Sequence, residues 1–294
     1  MIRNAYAELK EEQGINKVIG DDYMILEFRC PMDIEKFRLL VEMNLITYVI
    51  SGKKDWMMPG KVCQVTQGDA LFMRKGVYTT KQYFDVDHCI IMFFMSDDFI
   101  SNFVRENRGI SIPSTDKPIY EQMFPIQVDD CLDSLFMSIY NYLKVGRDIP
   151  KNLVEIKFKE LLFNIVLNQE NSSLAEFFSS LSHSAKAGMD DVMLKNFQHD
   201  LQLEEFARLC GRSLSAFKRE FKSVYRQTPG KWLINKRLEY ARNLLITSDL
   251  NVSEIGFESG FRNSSHFNKL FKEKYQITPK QFRTLHETGM MQES

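Results

Sequence analysis

Two stretches fifty residues apart carry one pattern: SLSAFKREFKSVYRQTP, Ser213–Pro229, and NSSHFNKLFKEKYQITP, Asn263–Pro279. Seven positions are identical: Ser215/Ser265, Phe217/Phe267, Phe221/Phe271, Lys222/Lys272, Tyr225/Tyr275, Thr228/Thr278 and Pro229/Pro279. Self-similarity at a fixed offset marks a repeated supersecondary unit. Phe217, Phe221 and Tyr225 stand at i, i+4 and i+8 and share one helical face, as do Phe267, Phe271 and Tyr275. The opposite face carries Ser215, Lys218, Arg219 and Lys222 in the first copy, and Ser264, Asn268, Lys269 and Lys272 in the second. Thr228-Pro229 and Thr278-Pro279 then read as helix starts. Threonine caps free N–H groups, and proline fits the first helical position. Gln281, three residues past Thr278, completes a capping-box pattern.

Working outward, each copy follows a short amphipathic segment and a glycine turn: LEEFARLCGRS, Leu203–Ser213, and VSEIGFESGFRN, Val252–Asn263. Gly211 and Gly260 supply the turns, the second one residue longer. Helix, turn and basic helix read as a helix-turn-helix, present twice. Polar and basic side chains on such a helix reach base edges and phosphates. A charged face alone reads equally as a solvated surface; the doubled motif is what favours nucleic acid.

These residues resemble the DNA-binding domain of the AraC/XylS family of bacterial transcription regulators. Arg237-Leu238, Ala241 and Leu244-Leu245 are similar to the family's linker helix, here expected over Trp232–Ser248. Gly260-Phe261, Phe267, Phe271-Lys272 and Thr278-Pro279 follow its signature. The resemblance spans roughly 100 residues. It has departures: Arg226 and Gln276 replace a helix-ending glycine, and Gly256 replaces an alanine.

At 294 residues, two domains are expected. The net charge of −1 says little, but its distribution says more. Residues 201–285 hold 16 Lys/Arg against 8 Asp/Glu, and residues 1–189 hold 21 against 26. A basic module on an acidic body fits phosphate binding confined to one domain. The five cysteines, Cys30, Cys63, Cys89, Cys131 and Cys210, form no Cys-x-x-Cys. That suits a reducing cytosol and gives no zinc or redox motif. MIRNAYAELKEEQ lacks an apolar signal core, and CIIMFFM, Cys89–Met95, is too short to span a bilayer, so a cytoplasmic location is expected.

Residues 1–20 read as a partly ordered lead-in. YMILEFRC, LITYVISG, KVCQVTQ, ALFMRKG, VYTTKQYFD and CIIMFFM then read as strands, punctuated by Gly52, Pro59-Gly60, Gly68-Asp69 and Gly76. Close-spaced short strands suggest a sandwich or barrel. Helices are expected from Asp97 to about Asn107, from Cys131 to near Gly146, after Pro150, and from Ser173 through Leu181. Pro113, Pro118 and Pro125 mark 109–127 as an irregular connection. His88 alone cannot form a cupin metal site, so no metal or cofactor is expected. Tyr48, Trp56, Phe72, Arg74, Tyr78 and Tyr83 are the candidate effector-pocket residues; the aromatics read equally as the filling of a small barrel.

The expected architecture is α+β and multidomain. Residues 1–182 form a regulatory and dimerisation domain whose cupin-like β-barrel, on strands at about 22–95, is implied by the resemblance. Helices follow at about 97–182. Residues 183–189 form a linker, overlapping the small, polar stretch Ser182–Gly188, and 190–294 an all-α DNA-binding domain with two helix-turn-helix units joined by the linker helix. The resemblance implies a non-enzymatic activator that works with RNA polymerase on double-stranded DNA, as a homodimer, under a small-molecule effector. Ser215, Lys218, Arg219, Ser265, Asn268 and Lys269 are the base-reading candidates, and Lys222, Arg262 and Lys272 the phosphate candidates. Two rivals remain: control by a protein partner, and a DNA-repair alkyl acceptor, for which Cys30, Cys63 and Cys89 lack a reactive setting.

Overall fold

The computed structural model describes residues 2–29, 35–58, 60–83, 88–115, 119–145, 149–183 and 187–287. Cys30, Pro59, Phe84-Asp85, Pro118, Gly146 and residues 184–186, all used in the sequence reading, lie outside them. The chain divides into two compact units, Met1–Ala187 and Gly188–Ser294.

The first unit opens with β1 (Ile2–Asn4), α1 (Ala5–Glu11) and β2 (Lys17–Ile19). The lead-in is thus ordered: Asn4 caps α1, and the Lys17 ammonium donates to the carbonyls of Leu9, Lys10 and Glu12 at its C-terminal end. Then come β3 (Tyr23–Arg29), β4 (Lys36–Val41), β5 (Asn44–Ser51), β6 (Lys53–Met58), β7 (Lys61–Thr66), β8 (Ala70–Met73), β9 (Gly76–Gln82) and β10 (Cys89–Met95). After these follow α2 (Asp97–Glu106), β11 (Met123–Ile126), α3 (Asp130–Val145), α4 (Lys151–Leu167) and α5 (Ser172–His183).

The strands form two separate sheets, β1-β4-β9-β6-β7 and β11-β8-β5-β10-β3-β2. β1 runs parallel to β4. The barrel expectation is therefore corrected: among the described residues each sheet keeps two edges, and no ladder joins them. The reason lies in β10, buried at every position. One of its faces, with Ile90, Met92 and Phe94, packs with Trp56, Tyr78 and Val65 of the five-stranded sheet. The other, with Ile91, Phe93 and Met95, packs with Phe103, Phe136, Phe158 and Phe178 of the helices. A sheet covered on both faces reads as continuous apolar runs and need not close on itself.

β11 falls in the stretch expected to be irregular. Pro125 is tolerated there because β11 is an edge strand, where a missing N–H breaks no ladder on its free side. Ser96 caps α2, its side chain accepting from the Phe99 N–H. Among the described residues no helix is long and apolar enough to cross a membrane, and no cluster of metal-ligating side chains occurs.

The second unit is helical: α6 (Ala187–Asn196), α7 (Leu203–Leu209), α8 (Leu214–Tyr225), α9 (Pro229–Thr247), α10 (Val252–Glu258), α11 (Ser264–Tyr275) and α12 (Pro279–Glu287). The fifty-residue offset between the sequence copies reappears in the starts and ends of α8 and α11. The linker helix begins at Pro229, three residues before the expected Trp232, because Thr228 caps it and proline occupies its first turn.

Candidate nucleic-acid interface

α8 and α11 are each anchored by their aromatic stripe. Phe217, Phe221, Phe267 and Phe271 are fully buried. Phe221 stacks on Tyr225 with centroids 4.3 Å apart and meets Trp232 of α9 edge-on at 6.0 Å. Phe271 stands 4.6 Å from Tyr275 and 5.8 Å from Phe282 of α12. The two cores hang on one rod: Trp232 serves the first, while Leu238, Ala241 and Leu245 of α9 serve the second.

The ends of the two helices are built alike. Ser213 accepts from the Ala216 N–H and Asn263 from the His266 N–H. Both helices end on a left-handed residue, Arg226 at φ 57° and Gln276 at φ 66°. The helix-ending glycine expected from the resemblance is absent, yet its backbone conformation is kept. A side chain in that region costs about 1–2 kcal/mol. Arg226→Gly and Gln276→Gly are therefore expected each to raise stability by roughly 1 kcal/mol after glycine's own entropic cost. Urea unfolding checks this: an unchanged or lowered midpoint would contradict it.

The scaffold helices are capped reciprocally. The Gln202 N–H donates to Glu205 at 2.6 Å and the Asn251 N–H to Glu254 at 2.7 Å. The expected box at Thr278 forms too, its N–H donating to Gln281 and its hydroxyl accepting from the Gln281 N–H. After α10, the Phe261 N–H donates to Gly256 O and the Gly260 N–H to Phe257 O, a Schellman arrangement with Gly260 at φ 88°. Gly256 has a separate role: a Cβ there would lie 3.0 Å from the Phe267 ring, so its absence brings α10 onto α11.

The outward faces carry the base-reading candidates. Ser215, Lys218, Arg219 and Lys222 of α8 are exposed, as are Ser265, Lys269 and Lys272 of α11. Asn268 is half-buried, and its amide donates back to the Ser264 carbonyl at 2.8 Å. Lys269 faces Glu273 one turn on, at 4.0 Å. Arg262 is engaged elsewhere: its Nε donates to both Asp200 oxygens at 2.6 and 2.7 Å. That pair ties the second turn to the segment before α7. Arg237 of α9 ties the same segment down, donating to the Phe197 carbonyl at 2.6 Å and the His199 carbonyl at 2.7 Å. Burial holds the Arg237 guanidinium below the usual arginine range, with Asp200 pulling the other way. The Tyr225 phenol, which donates to Asp190 of α6, is pushed up first by burial and then by that bond.

One exposed side chain escaped the sequence reading. His266 lies beside Ser265 in the first turn of α11. Aligning the copies set it against Ala216, which hid it; its exposed place on a basic helix is the signal that finds it.

The candidate effector residues are not brought into one pocket. Tyr48 and Phe72 face the helices, Tyr48 stacked 4.2 Å from Phe136 and bonded to Asp133. Trp56 and Tyr78 face the layer between the sheets. Arg74 lies 4.4 Å over Phe177 and donates to the Ile119 carbonyl at 2.8 Å. Tyr83 donates to Asp55 at 2.8 Å under the Lys53 ammonium.

Comparison with known proteins adds family relationships to this geometry. Residues 44–177 match the ExsA N-terminal regulatory domain, and residues 206–284 match a helix-turn-helix domain. The thermoregulatory protein LcrF of Yersinia pestis is 23% identical over 236 residues, covering 80% of this chain and 87% of that one. The transcriptional regulator ExsA of Pseudomonas aeruginosa is 26% identical over 220 residues, covering 74% and 77%. Apo ToxT K231A from Vibrio cholerae aligns with a TM-score of 0.43 at 10% identity, covering 90% and 98%.

Proposed function

We infer that this chain, an AraC/XylS-family transcription regulator with an N-terminal regulatory domain and a C-terminal helix-turn-helix domain, activates transcription by laying α8 and α11 into successive major-groove segments on one face of a DNA duplex. It is not an enzyme; its relatives LcrF, VirF, ExsA and RhaS are transcription regulators. One observation carries the proposal: two helices with the same caps, the same buried aromatic stripe and an exposed basic face hang on the single rod of α9. The geometric expectation is a separation of about 34 Å, one turn of DNA.

In this reading Lys218, Arg219 and Lys269 address guanine edges, Asn268 adenine, and Ser215 and Ser265 either. Lys222 and Lys272 hold phosphates. Arg262 joins them only by exchanging Asp200 for phosphate. Arg219→Ala is expected to cost about 1–3 kcal/mol on the cognate site and to relax preference at one position. Equal losses on cognate and random DNA would remove Arg219 from the reading set. Lys222→Ala is expected to weaken binding to every sequence and to lower the salt slope by about 1; an unaltered slope would count against a phosphate contact.

Selection of genomic fragments by the purified protein, read at two salt concentrations, tests the whole proposal. Two short blocks one helical turn apart support it; sequence-blind, salt-sensitive binding contradicts it. Activation implies contact with RNA polymerase. Self-association is assigned to α3 and α4, which expose Tyr142 and Val145, and Ile156, and sedimentation of the full chain checks it. The N-terminal domain gates the reader in response to a small molecule. Control by a protein partner is the second reading, favoured by the dense aromatic packing around Tyr48 and Phe72.

A further inference from the structure

Asp200 and Arg262 meet at the entrance to α11. Asp200 stands in the segment before α7, and Arg262 in the turn before α11, next to the cap Asn263. Arg262 Nε donates to the two Asp200 oxygens at 2.7 and 2.6 Å. The pair lies in solvent, with the two side chains 63% and 44% exposed. An ion pair that exposed contributes little to stability. The segment is also fastened without it, because Arg237 of α9 donates to the Phe197 and His199 carbonyls. A bond that the fold does not need, placed at the start of a reader helix, calls for another explanation.

Charge and position supply one. The N-terminal residues of a recognition helix lie against the groove, so a cation just before the cap of α11 stands where backbone phosphate passes. Held by a carboxylate, that cation brings no net charge to DNA and displaces no counterion. The pair is also geometrically incomplete. Both oxygens share the single Nε–H, whereas a guanidinium offers carboxylate or phosphate a fork of two parallel N–H donors. Phosphate can therefore give Arg262 an arrangement that Asp200 does not. The neighbouring charges are engaged elsewhere. Glu205, whose charge reaches Arg262, accepts from the Gln202 N–H at 2.6 Å. Arg237, which feels both members of the pair, is bonded to its two carbonyls. We infer that Asp200 is a built-in competitor for the DNA backbone: it occupies Arg262 in the free protein and yields it to a phosphate when α11 enters the groove. The inference rests on the proposed mode of DNA binding and names the group that limits one of its phosphate contacts.

Asp200→Asn keeps the shape of the side chain and removes its charge. The full-length variant is titrated by fluorescence anisotropy against a duplex selected by the unsubstituted chain and against a random duplex, at several salt concentrations. Binding to both is expected to tighten by up to about tenfold near 0.1 M salt, and the salt slope to rise by about 1, as for one added phosphate contact. The thermal midpoint is expected to change little. In the Arg262→Gln background the same substitution is expected to lose most of its gain in affinity and slope, because the gain comes from a freed Arg262. An equal gain in both backgrounds would be a general effect of charge and would overturn the exchange. Weaker binding by Asp200→Asn would make the carboxylate a support that orients Arg262, and a large drop in midpoint would make the pair structural; either overturns it, as do an unchanged affinity and slope. The reading beneath fails differently. If the unsubstituted chain selects no two-block sequence, that mode of binding falls, while tightening on random duplex through Arg262 keeps the exchange. If no duplex binds any of these chains, both fall.

Discussion

Gly260→Ala is expected to destabilise the C-terminal unit by about 3 kcal/mol, from backbone strain and a steric clash together. The residue sits at φ 88°, a conformation that side chains avoid. A Cβ there would also lie 2.9 Å from the Gln198 carbonyl oxygen and 2.9 Å from Arg237 Nε. Neither neighbour is free to yield. Arg237 is held by its bonds to the Phe197 and His199 carbonyls, and Gln198 lies between those two residues. The glycine is thus where the turn of the second helix-turn-helix, the linker helix and the segment leading into the first one meet. For a unit of about 100 residues the loss is roughly 10–20 °C in thermal midpoint. Gly211→Ala is the internal control. Gly211 also has a positive φ, of 65°, but nothing lies within 4 Å of its Cβ position. It is expected to cost only about 1–2 kcal/mol, the backbone strain alone. Equal losses at the two positions would mean that the Gln198–Arg237 contact gives way without cost.

Why the second unit was legible and the first was not follows from how each encodes its surroundings. In α8 and α11 every signal is local. The aromatic spacing, the turn glycines and the Thr-Pro helix starts that follow at Thr228 and Thr278 all point to one answer. Even the departures fit, because Arg226 and Gln276 adopt the conformation their position requires. In the first unit the decisive information is non-local. Strand-turn punctuation places β5, β8 and β10 but is silent on whether sheets close, and the helices that cover the far face of β10 come later in the chain. β4 and β6 escaped because KFRLLV and KKDWMM mix charge with apolar residues. In β6 the charge is itself inside: a lysine in a strand reads as solvated, yet Lys54 is enclosed by Trp56, Phe28 and Phe37. The scattering of the candidate pocket has the same cause. Alternation says that neighbours in a strand point to opposite faces, but when both faces are buried it does not say which residues meet.

Phe271→Ala is the change expected to cost most, about 3–5 kcal/mol, because it removes a wholly buried ring from the centre of the second core. The ring stands among Phe267, Tyr275 and Phe282, with Leu238, Ala241 and Leu245 of α9 in the same cluster. Truncating it leaves a cavity that three separate helices would have to close. Phe271→Leu keeps most of the apolar volume and is expected to cost much less. The distribution of contacts along α9 sets the functional consequence. Trp232 supports the first core through Phe221 and Tyr225, one end of the rod, while the second core draws on residues from Leu238 onward. Loss of Phe271 should therefore unseat α11 before α8. On the proposed mode of binding, DNA selected by this variant is expected to retain the first sequence block and lose the second. Hydrogen exchange is expected to show α10, α11 and α12 opening while α7 and α8 stay protected. If both blocks vanish together and all these amides exchange at one rate, the two helix-turn-helix units are a single cooperative body, and α9 transmits the damage along its whole length.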